Sequence, residues 1–206
     1  DAVALYDNNF GWELTFFPNG SALLLNVPIT GNNTQFVMNT ITRRWCQFTA
    51  WDAQCFAVFN DELYFGALGV VDKAWSGTSD KGVAIESDLV HAFNYFSARG
   101  LEKLFKEAQP IIGWDVNPAE VRIGMDVDFK ISTPNGQIQP PPAGTALIWD
   151  TGHWDVNTWG GAIELQKSWY ATPGIGFAGA FHMQVSSATA SIEYSSVNIR
   201  WEAASG

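Results

Sequence analysis

Residues 33–66 read NTQFVMNTITRRWCQFTAWDAQCFAVFNDELYFG, and this stretch decides the fold class. It contains three short apolar runs, each closed by polar turn residues, and it is rich in aromatic side chains, at Phe36, Trp45, Phe48, Trp51, Phe56, Phe59, Tyr64 and Phe65. Short aromatic runs separated by Asn, Thr and Asp are typical of antiparallel strands joined by tight turns. None of these residues forms a recognisable reactive group. The stretch therefore predicts a structural role, as part of an assembly, and not an enzyme.

The composition favours a protein that packs against neighbours. The chain has 206 residues, of which 47% are hydrophobic and only 16% charged. A typical soluble domain carries roughly 25% charged residues. The 10 Trp and 14 Phe add to this expectation, because aromatic side chains concentrate at interfaces as well as in cores.

The charge argues against tight binding of nucleic acid. The net charge is −10, and the densest basic spots are Arg43-Arg44 and the pair Lys103 and Lys106. Binding to a phosphate backbone needs a basic patch that displaces counterions. A negative surface is still compatible with lining a channel through which DNA slides without sticking. No apolar run approaches the roughly 18 residues of a membrane span, and no secretory signal is found.

The pattern of strands predicts two mainly β regions, at 1–76 and 83–206, with at most one or two short helices. In the first, short strands follow one another, and Trp12, Leu14 and Phe16 share one face of their strand. Close strand spacing of this kind suggests a sandwich, barrel or propeller blade. The loop GTSDKG at 77–82 is the predicted boundary.

The second region is predicted to be a β-sandwich. Val121, Ile123, Met125, Val127 and Phe129 alternate with polar residues, which indicates a half-buried strand whose other face, with Asp126 and Asp128, meets solvent. Near the end of the chain, alternation predicts that three further residues face inward, namely Val197, Ile199 and Trp201.

Residues 83–108 are ambiguous. Ile85, Leu89, Phe93 and Phe96 recur at helical spacing, and this pattern slightly favours a helix.

The two cysteines and the first residue carry smaller predictions. Cys46 and Cys55 could face each other across a hairpin, but the surrounding aromatic strands favour two reduced, buried thiols. Because the chain begins with Asp1 rather than Met, we expect it to be cut from a longer polypeptide.

Three groups of residues are candidates for a functional site. Asp150, His153 and Asp155 are weak candidates for a divalent metal, although Asp side chains in such a turn more often bond backbone amides. The pair Asp126 and Asp128 is explained by strand alternation alone. The third group consists of four tryptophans, Trp149, Trp154, Trp159 and Trp169. Their rings could stack on sugar rings, or they could fill a core or a subunit interface.

No catalytic or cofactor-binding motif is present. The sequence has neither a nucleophile elbow, nor a phosphate-binding Walker loop, nor a Cys-x-x-Cys pair. We therefore predict no catalytic residues and no cofactor.

The order of many weak motifs resembles one family. They are Phe10-Gly-Trp12, Pro18, Asn26-Val-Pro28, Gln35-Phe-Val-Met-Asn39, Thr42, Trp45-Cys-Gln-Phe48, Trp51, Ala53-Gln-Cys55, Leu63-Tyr-Phe-Gly66, Ala92-Phe93, Arg99-Gly100, Lys103, Phe105, Gly124-Met-Asp-Val-Asp-Phe129, Trp159-Gly160-Gly161 and Gly174-Ile-Gly176. In this order, over nearly the whole chain, the sequence is similar to tail proteins of short-tailed bacteriophages, the nozzle or tail tubular B type, also known as phage stabilisation proteins.

The resemblance implies a propeller-like region followed by further β-structure, in the C-terminal part of a longer tail protein. It implies a structural, non-enzymatic subunit of the virion tail, assembled in the bacterial host cytoplasm. Six copies would form a tube with other tail proteins, and the tube would retain DNA and then let it pass without specific binding. It also favours extended structure over 83–108. The chain departs from the family at Arg43-Arg44, where a small residue is expected, and at Gly69-Val-Val-Asp72, a less regular blade ending.

The rival interpretation is a carbohydrate-binding or host-receptor-binding β-sandwich that uses the four Trp named above. A hydrolase would instead need two convergent carboxylates in a cleft.

Overall fold

The computed structural model describes residues 11–29, 33–115, 117–139 and 163–204, and over these ranges the chain is all-β, with no helix. The predicted fold class is confirmed at this level. The strands are β1 Glu13–Phe17, β2 Ala22–Val27, β3 Thr34–Asn39, β4 Arg44–Phe48, β5 Cys55–Phe59, β6 Glu62–Ala67, β7 Val70–Lys73, β8 Ile85–Val90, β9 Lys103–Asp115, β10 Glu120–Val127, β11 Gly136–Ile138, β12 Ile163–Gln166, β13 Tyr170–Gly176, β14 Gly179–Ser187 and β15 Ile192–Ala203.

The chain divides into two compact units, Asp1–Gly77 and Thr78–Gly206. The division falls at the start of the Gly- and Ser-containing loop 77–82. Each unit has its own buried cluster of apolar side chains.

Unit 1 consists of two antiparallel sheets, one of four strands in the order β1-β2-β3-β4 and one of three in the order β5-β6-β7. One apolar cluster contains residues of both sheets, including Phe17 and Leu24 from the first and Phe56 and Leu63 from the second. Trp51 joins this core, with its ring centroid 5.2 Å from that of Phe56. The two sheets therefore pack face to face, with one inner face each.

Polar side chains on the inner face of the first sheet hold the second sheet in place. Glu13 Oε2 accepts a hydrogen bond from the N–H of Phe56 at 3.0 Å, and Asn26 Nδ2 donates to the carbonyl of Gln54 at 2.9 Å. Gln35 Nε2 donates to Asn26 Oδ1 and to the carbonyl of Ala53, both at 3.1 Å. Because a buried backbone group without a partner is costly, these bonds fix the segment that leads into β5.

Unit 2 is built from two antiparallel sheets around a second core. One has the order β11-β10-β14-β8; in the other β9 is central, with β15 on one edge and β12 and β13 on the opposite edge. The core contains residues of both sheets, including Trp114 from β9 and Phe181 from β14. This is the predicted sandwich-like arrangement. Pro110, which has no N–H to donate, lies in β9 between the segments that pair with β13 and with β12.

The helix predicted from the spacing over 83–108 is wrong. Ile85–Val90 is strand β8, residues 91–102 form turns, and β9 begins at Lys103. Phe96 and Ser97 have φ of 49° and 59°, in the left-handed region that interrupts a right-handed helix. Extended structure is present at Ile85–Val90 and from Lys103 onward.

Lys103 explains why this segment turns. Its side chain is fully buried, and Nζ donates to the carbonyls of Ala98, Leu101 and Phe177 at 2.6, 2.8 and 2.8 Å. The ammonium group lies 5.5 Å from the ring centroid of Trp201. Three acceptors satisfy the three N–H donors of a buried lysine, which needs such partners to be tolerated. The carbonyls of Ala98 and Leu101, which would accept backbone hydrogen bonds in a helix, accept hydrogen bonds from the Lys103 side chain here.

Two other expectations are corrected. Cys46 and Cys55 are free, as favoured, but both are exposed rather than buried, because each lies in an edge strand, β4 of one sheet and β5 of the other. Strand β10 ends at Val127, so Phe129 is not a strand residue and is 64% exposed. Val121, Ile123 and Met125 are buried as predicted, and Val197 and Ile199 pack on the core.

Two adjacent leucines test which face of β2 is internal. Leu24 is fully buried between the sheets, and Leu25 is half-buried on the other face. We predict that Leu24→Ala lowers the free energy of unfolding by about 2–5 kcal/mol, the usual effect of removing a buried leucine side chain. Leu25→Ala serves as the matched control and should cost about 1 kcal/mol or less in the monomer. Urea unfolding measures both, and equal losses would contradict the assigned faces.

Candidate functional site

The metal candidates Asp150, His153 and Asp155 lie outside the described residues, as do Trp149, Trp154 and Trp159. Trp169 is described and is 40% exposed. The guanidinium of Arg200 lies 4.5 Å from its ring centroid and is also bound to Glu107 at 2.8 Å. One face of the indole is therefore occupied by a cation, which reduces its value as a platform for a sugar ring.

The most connected polar group in unit 2 is centred on His182. The ring is 2% exposed; Nδ1 lies 2.8 Å from Asp126 Oδ2, and Nε2 lies 2.9 Å from Asp88 Oδ1. Gln184 Nε2 donates to the other oxygen of Asp88, and Asp126 Oδ1 accepts from the N–H and hydroxyl of Ser132. Asp126 is thus buried, and the prediction that strand alternation exposes it to solvent is wrong.

This network ties strands together. Each ring nitrogen of His182 faces a carboxylate oxygen, so the ring is bonded on both sides. The network links β10, β14 and β8 and holds Ser132 over the outer face of the sheet. Sequence reasoning missed it, because Asp88, Asp126 and His182 are far apart in the chain and only the antiparallel pairing aligns them.

The outer face of this sheet is polar and shallow. A depression of about 450 Å³ is lined by Glu120, Arg122, Thr133, Pro134, Asn135 and Gln137. Glu120 and Arg122 bond to each other, with Arg122 Nε 2.6 Å from Glu120 Oε1. Within the described ranges no group of three or more His, Cys, Asp or Glu side chains has the geometry to hold a metal ion.

A half-buried pair joins the two sheets of unit 2. The hydroxyl of Tyr194 lies 2.8 Å from Nε2 of His91, and both rings pack edge-on at 5.6 Å between centroids. Burial raises the pKa of Tyr194 to about 12 and lowers the pKa of His91 below its ordinary value. Both groups are therefore held neutral, and the pair is structural.

An extended apolar surface lies in unit 1, on the face of the β1–β4 sheet that points away from the second sheet. Strand pairing aligns two rows of side chains on it, Leu14, Leu25, Phe36 and Gln47 in one row and Phe16, Leu23, Met38 and Trp45 in the other. We call these eight residues the β1–β4 outer face. Seven are apolar and none is charged. Leu14, Phe16 and Trp45 are 63%, 55% and 52% exposed.

The prediction that Trp12, Leu14 and Phe16 share a face is compatible with this arrangement, and Leu14 and Phe16 lie on the face that is open to solvent. Trp12, just before β1, is 49% exposed. Half-exposed aromatics of this kind leave about 100 Å² each uncovered, since a fully buried one hides 150–250 Å². Together with Leu14 and the half-buried residues, the patch reaches the upper end of the roughly 300–600 Å² of the largest patches on monomeric proteins.

The opposite side of unit 1 is also partly apolar. The β5–β7 sheet turns Cys55, Ala57, Phe59, Tyr64 and Val71 outward, together with Glu62 and Lys73, and we call these seven residues the β5–β7 outer face. Phe59 and Val71 are 65% and 75% exposed. A hydrogen bond from Lys73 lowers the pKa of Glu62, and the pair lies at one end of the strands. Both outer faces of unit 1 therefore present apolar side chains to solvent.

No helix in the described part of the chain is long and apolar enough to cross a membrane. No family model, curated protein or solved structure matches the sequence or the fold.

The His182 network gives a stability prediction. We expect Asp126→Asn to lower the free energy of unfolding of unit 2 by about 1–3 kcal/mol, because one oxygen of the buried carboxylate that contacts His182 and Ser132 becomes an amide donor and a buried polar contact is lost. Asp88→Asn is the matched control; Asp88 is exposed, so its loss should cost about 1 kcal/mol or less. Chemical denaturation of the two variants measures the difference, and equal effects of the two substitutions would contradict the buried position of Asp126.

The Tyr194 pair gives a pH prediction. The pKa of Tyr194 is about 12 in the folded chain and 10.0 ordinarily, so the unfolded chain loses the phenolic proton first. Stability contributed by this group is present below pH 10 and is lost as the pH rises from 10 to 12. Unfolding midpoints measured across this range should fall less steeply for Tyr194→Phe than for the wild type. Parallel slopes would show that Tyr194 is not buried as described.

Proposed function

We propose that this protein is a structural subunit of a phage or prophage tail, a nozzle or tube component that assembles as a homo-oligomer of six copies and has no catalytic activity. The observation that carries the proposal is the two-sided apolar character of unit 1. Both of its sheets show apolar side chains on the face away from the core, which is the pattern of sheets designed to be covered on both sides. A subunit of a permanent assembly needs such surfaces, and a freely soluble enzyme does not.

The charge supports the same function. A net charge of −10 with few basic residues suits a wall along which DNA slides, because affinity for a phosphate backbone grows with the number of basic contacts. The DNA of a tail would be guided by repulsion and would not be bound specifically.

The contacts of the polar residues support a structural role. His182 binds Asp88 and Asp126 on the two neighbouring strands, and Glu120 binds Arg122 within one strand, so these polar groups already have partners inside the fold. The carbohydrate-binding rival gains little from the described part of the chain, where the one Trp of its set, Trp169, has one face of its ring occupied by Arg200. Soluble glycans should accordingly leave the Trp fluorescence of the protein unchanged.

Assembly tests the proposal. The protein expressed from its full reading frame should form six-fold rings or short tubes in negative-stain images, alone or with purified tail proteins of the same phage. Native mass measured by light scattering should agree with six copies. A monodisperse monomer under both conditions, at high protein concentration, would contradict the proposal, and quenching of Trp fluorescence by glycans would then favour the rival.

A further inference from the structure

We infer that copies of this chain stack head to tail through unit 1, with the β1–β4 outer face of one copy covered by the β5–β7 outer face of a second copy. The inference rests on the proposed function and adds to it the surfaces that meet. The occupant of each face is thus a second copy of the same chain.

The chemistry of the two faces fits this contact. The β1–β4 outer face is uncharged, so any partner must offer apolar side chains or lose more on desolvation than it gains. On the β5–β7 outer face, Phe59 and Val71 are 65% and 75% exposed and supply them. The charged pair Glu62 and Lys73 lies at the end of its strands, where it can stay at the rim of the contact and keep its water.

The area is sufficient for a specific contact. Two faces of about 500 Å² each would bury about 1,000 Å² in total, the size at which a biological interface becomes plausible. Polar neighbours at the rim add to this value. Within unit 1 the inner faces of the same two sheets already pack on each other, so stacking of the outer faces continues an arrangement that these sheets adopt.

Charges at one end of unit 1 decide the direction of stacking. The β3–β4 turn is bonded to the β1–β2 turn through the N–H of Thr40 and the carbonyl of Ser21, and the β1–β2 turn is bonded to the β5–β6 turn through Asn19 Nδ2 and the carbonyl of Asp61. The three turns therefore lie at the same end. Arg43 lies in the β3–β4 turn and Arg44 is the first residue of β4, whereas Asp61 lies in the β5–β6 turn. All three residues are exposed.

Copies stacked head to tail in the same orientation bring Arg43 and Arg44 of one sheet beside Asp61 of the next. Pairing of two β1–β4 outer faces would give one of two results. Either the arginines of the two copies lie together, or they lie at opposite ends, away from any acidic turn. Opposite charges at matching ends favour the first arrangement, since juxtaposed like charges disfavour a contact. Such a heterologous contact repeats and can close into a ring.

Cross-linking between copies tests the arrangement. In a Cys46→Ser background, the natural Cys55 marks the β5–β7 outer face, and Leu25→Cys marks the β1–β4 outer face. These positions lie on opposite sides of two packed sheets, so a bis-maleimide with a span of about 10 Å, the distance between packed sheets, joins them only between copies. We expect a ladder of covalent multimers up to six chains on denaturing gels.

Two single-thiol controls keep the result unambiguous. Cys46→Ser alone, which retains Cys55, should give no multimers. The chain with Leu25→Cys, Cys46→Ser and Cys55→Ser should give none either, and dimers from it would show that two β1–β4 outer faces pair, which overturns the inference.

A second pair of variants measures the energetic role of the face. Leu14→Lys places a charge on the β1–β4 outer face at a position 63% exposed in the single chain, and Ile131→Lys in unit 2 is the matched control at 66%. Leu14→Lys should weaken association at least tenfold while circular dichroism and the unfolding midpoint stay unchanged, and Ile131→Lys should assemble like the wild type.

The outcomes separate this inference from the proposed function. Six-fold rings without a cross-link between Cys55 and Leu25→Cys would overturn the stacking arrangement and leave the proposed function standing. A monomer without any cross-link would overturn both. A monomer that Leu14→Lys destabilises would show that another segment of the same polypeptide covers the face, and would also overturn the inference.

Discussion

A β-sheet that is apolar on both faces needs a cover on each, and this requirement governs unit 1. The inner face of the β1–β4 sheet is covered by the β5–β7 sheet, with Leu24 fully buried between them. Its outer face carries seven aligned apolar side chains with no cover in the described chain. The free energy of hiding that face is available only to a contact with something outside the described chain, and this is the observation on which the proposed assembly rests.

The polar residues of the inner face explain which face of the β1–β4 sheet is buried. Glu13, Asn26 and Gln35 point inward although apolar residues on the other face would seem the better core. Their side chains bond the backbone of residues 53–56, and such bonds form only if these side chains are inside. The face that carries the hydrogen-bonding side chains is therefore the inner one. Because side chains alternate along a strand, the apolar residues Leu14 and Phe16 are turned outward.

The sequence predicted the all-β class, the reduced state of both cysteines and the inward face of β15, because turn residues and period-two alternation are local signals. It mispredicted 83–108, where Phe96 packs on Phe105 and Trp201 and where the carbonyls of Ala98 and Leu101 bind Lys103, contacts that depend on distant residues. It also missed the His182 network, since strand register brings Asp88 and Asp126 to either side of one histidine. Residues quoted for the family resemblance, such as Asn26, Gln35 and Ala53, turn out to join the two sheets of unit 1.

A cryo-electron microscopy reconstruction of the assembled protein, at a resolution that shows side chains, would reveal what covers the β1–β4 outer face. If a second copy covers it, Leu14, Phe16 and Trp45 of one copy contact Phe59 and Val71 of the next, and Arg43 or Arg44 lies near Asp61. A reconstruction in which these three residues face open solvent in every copy would contradict it.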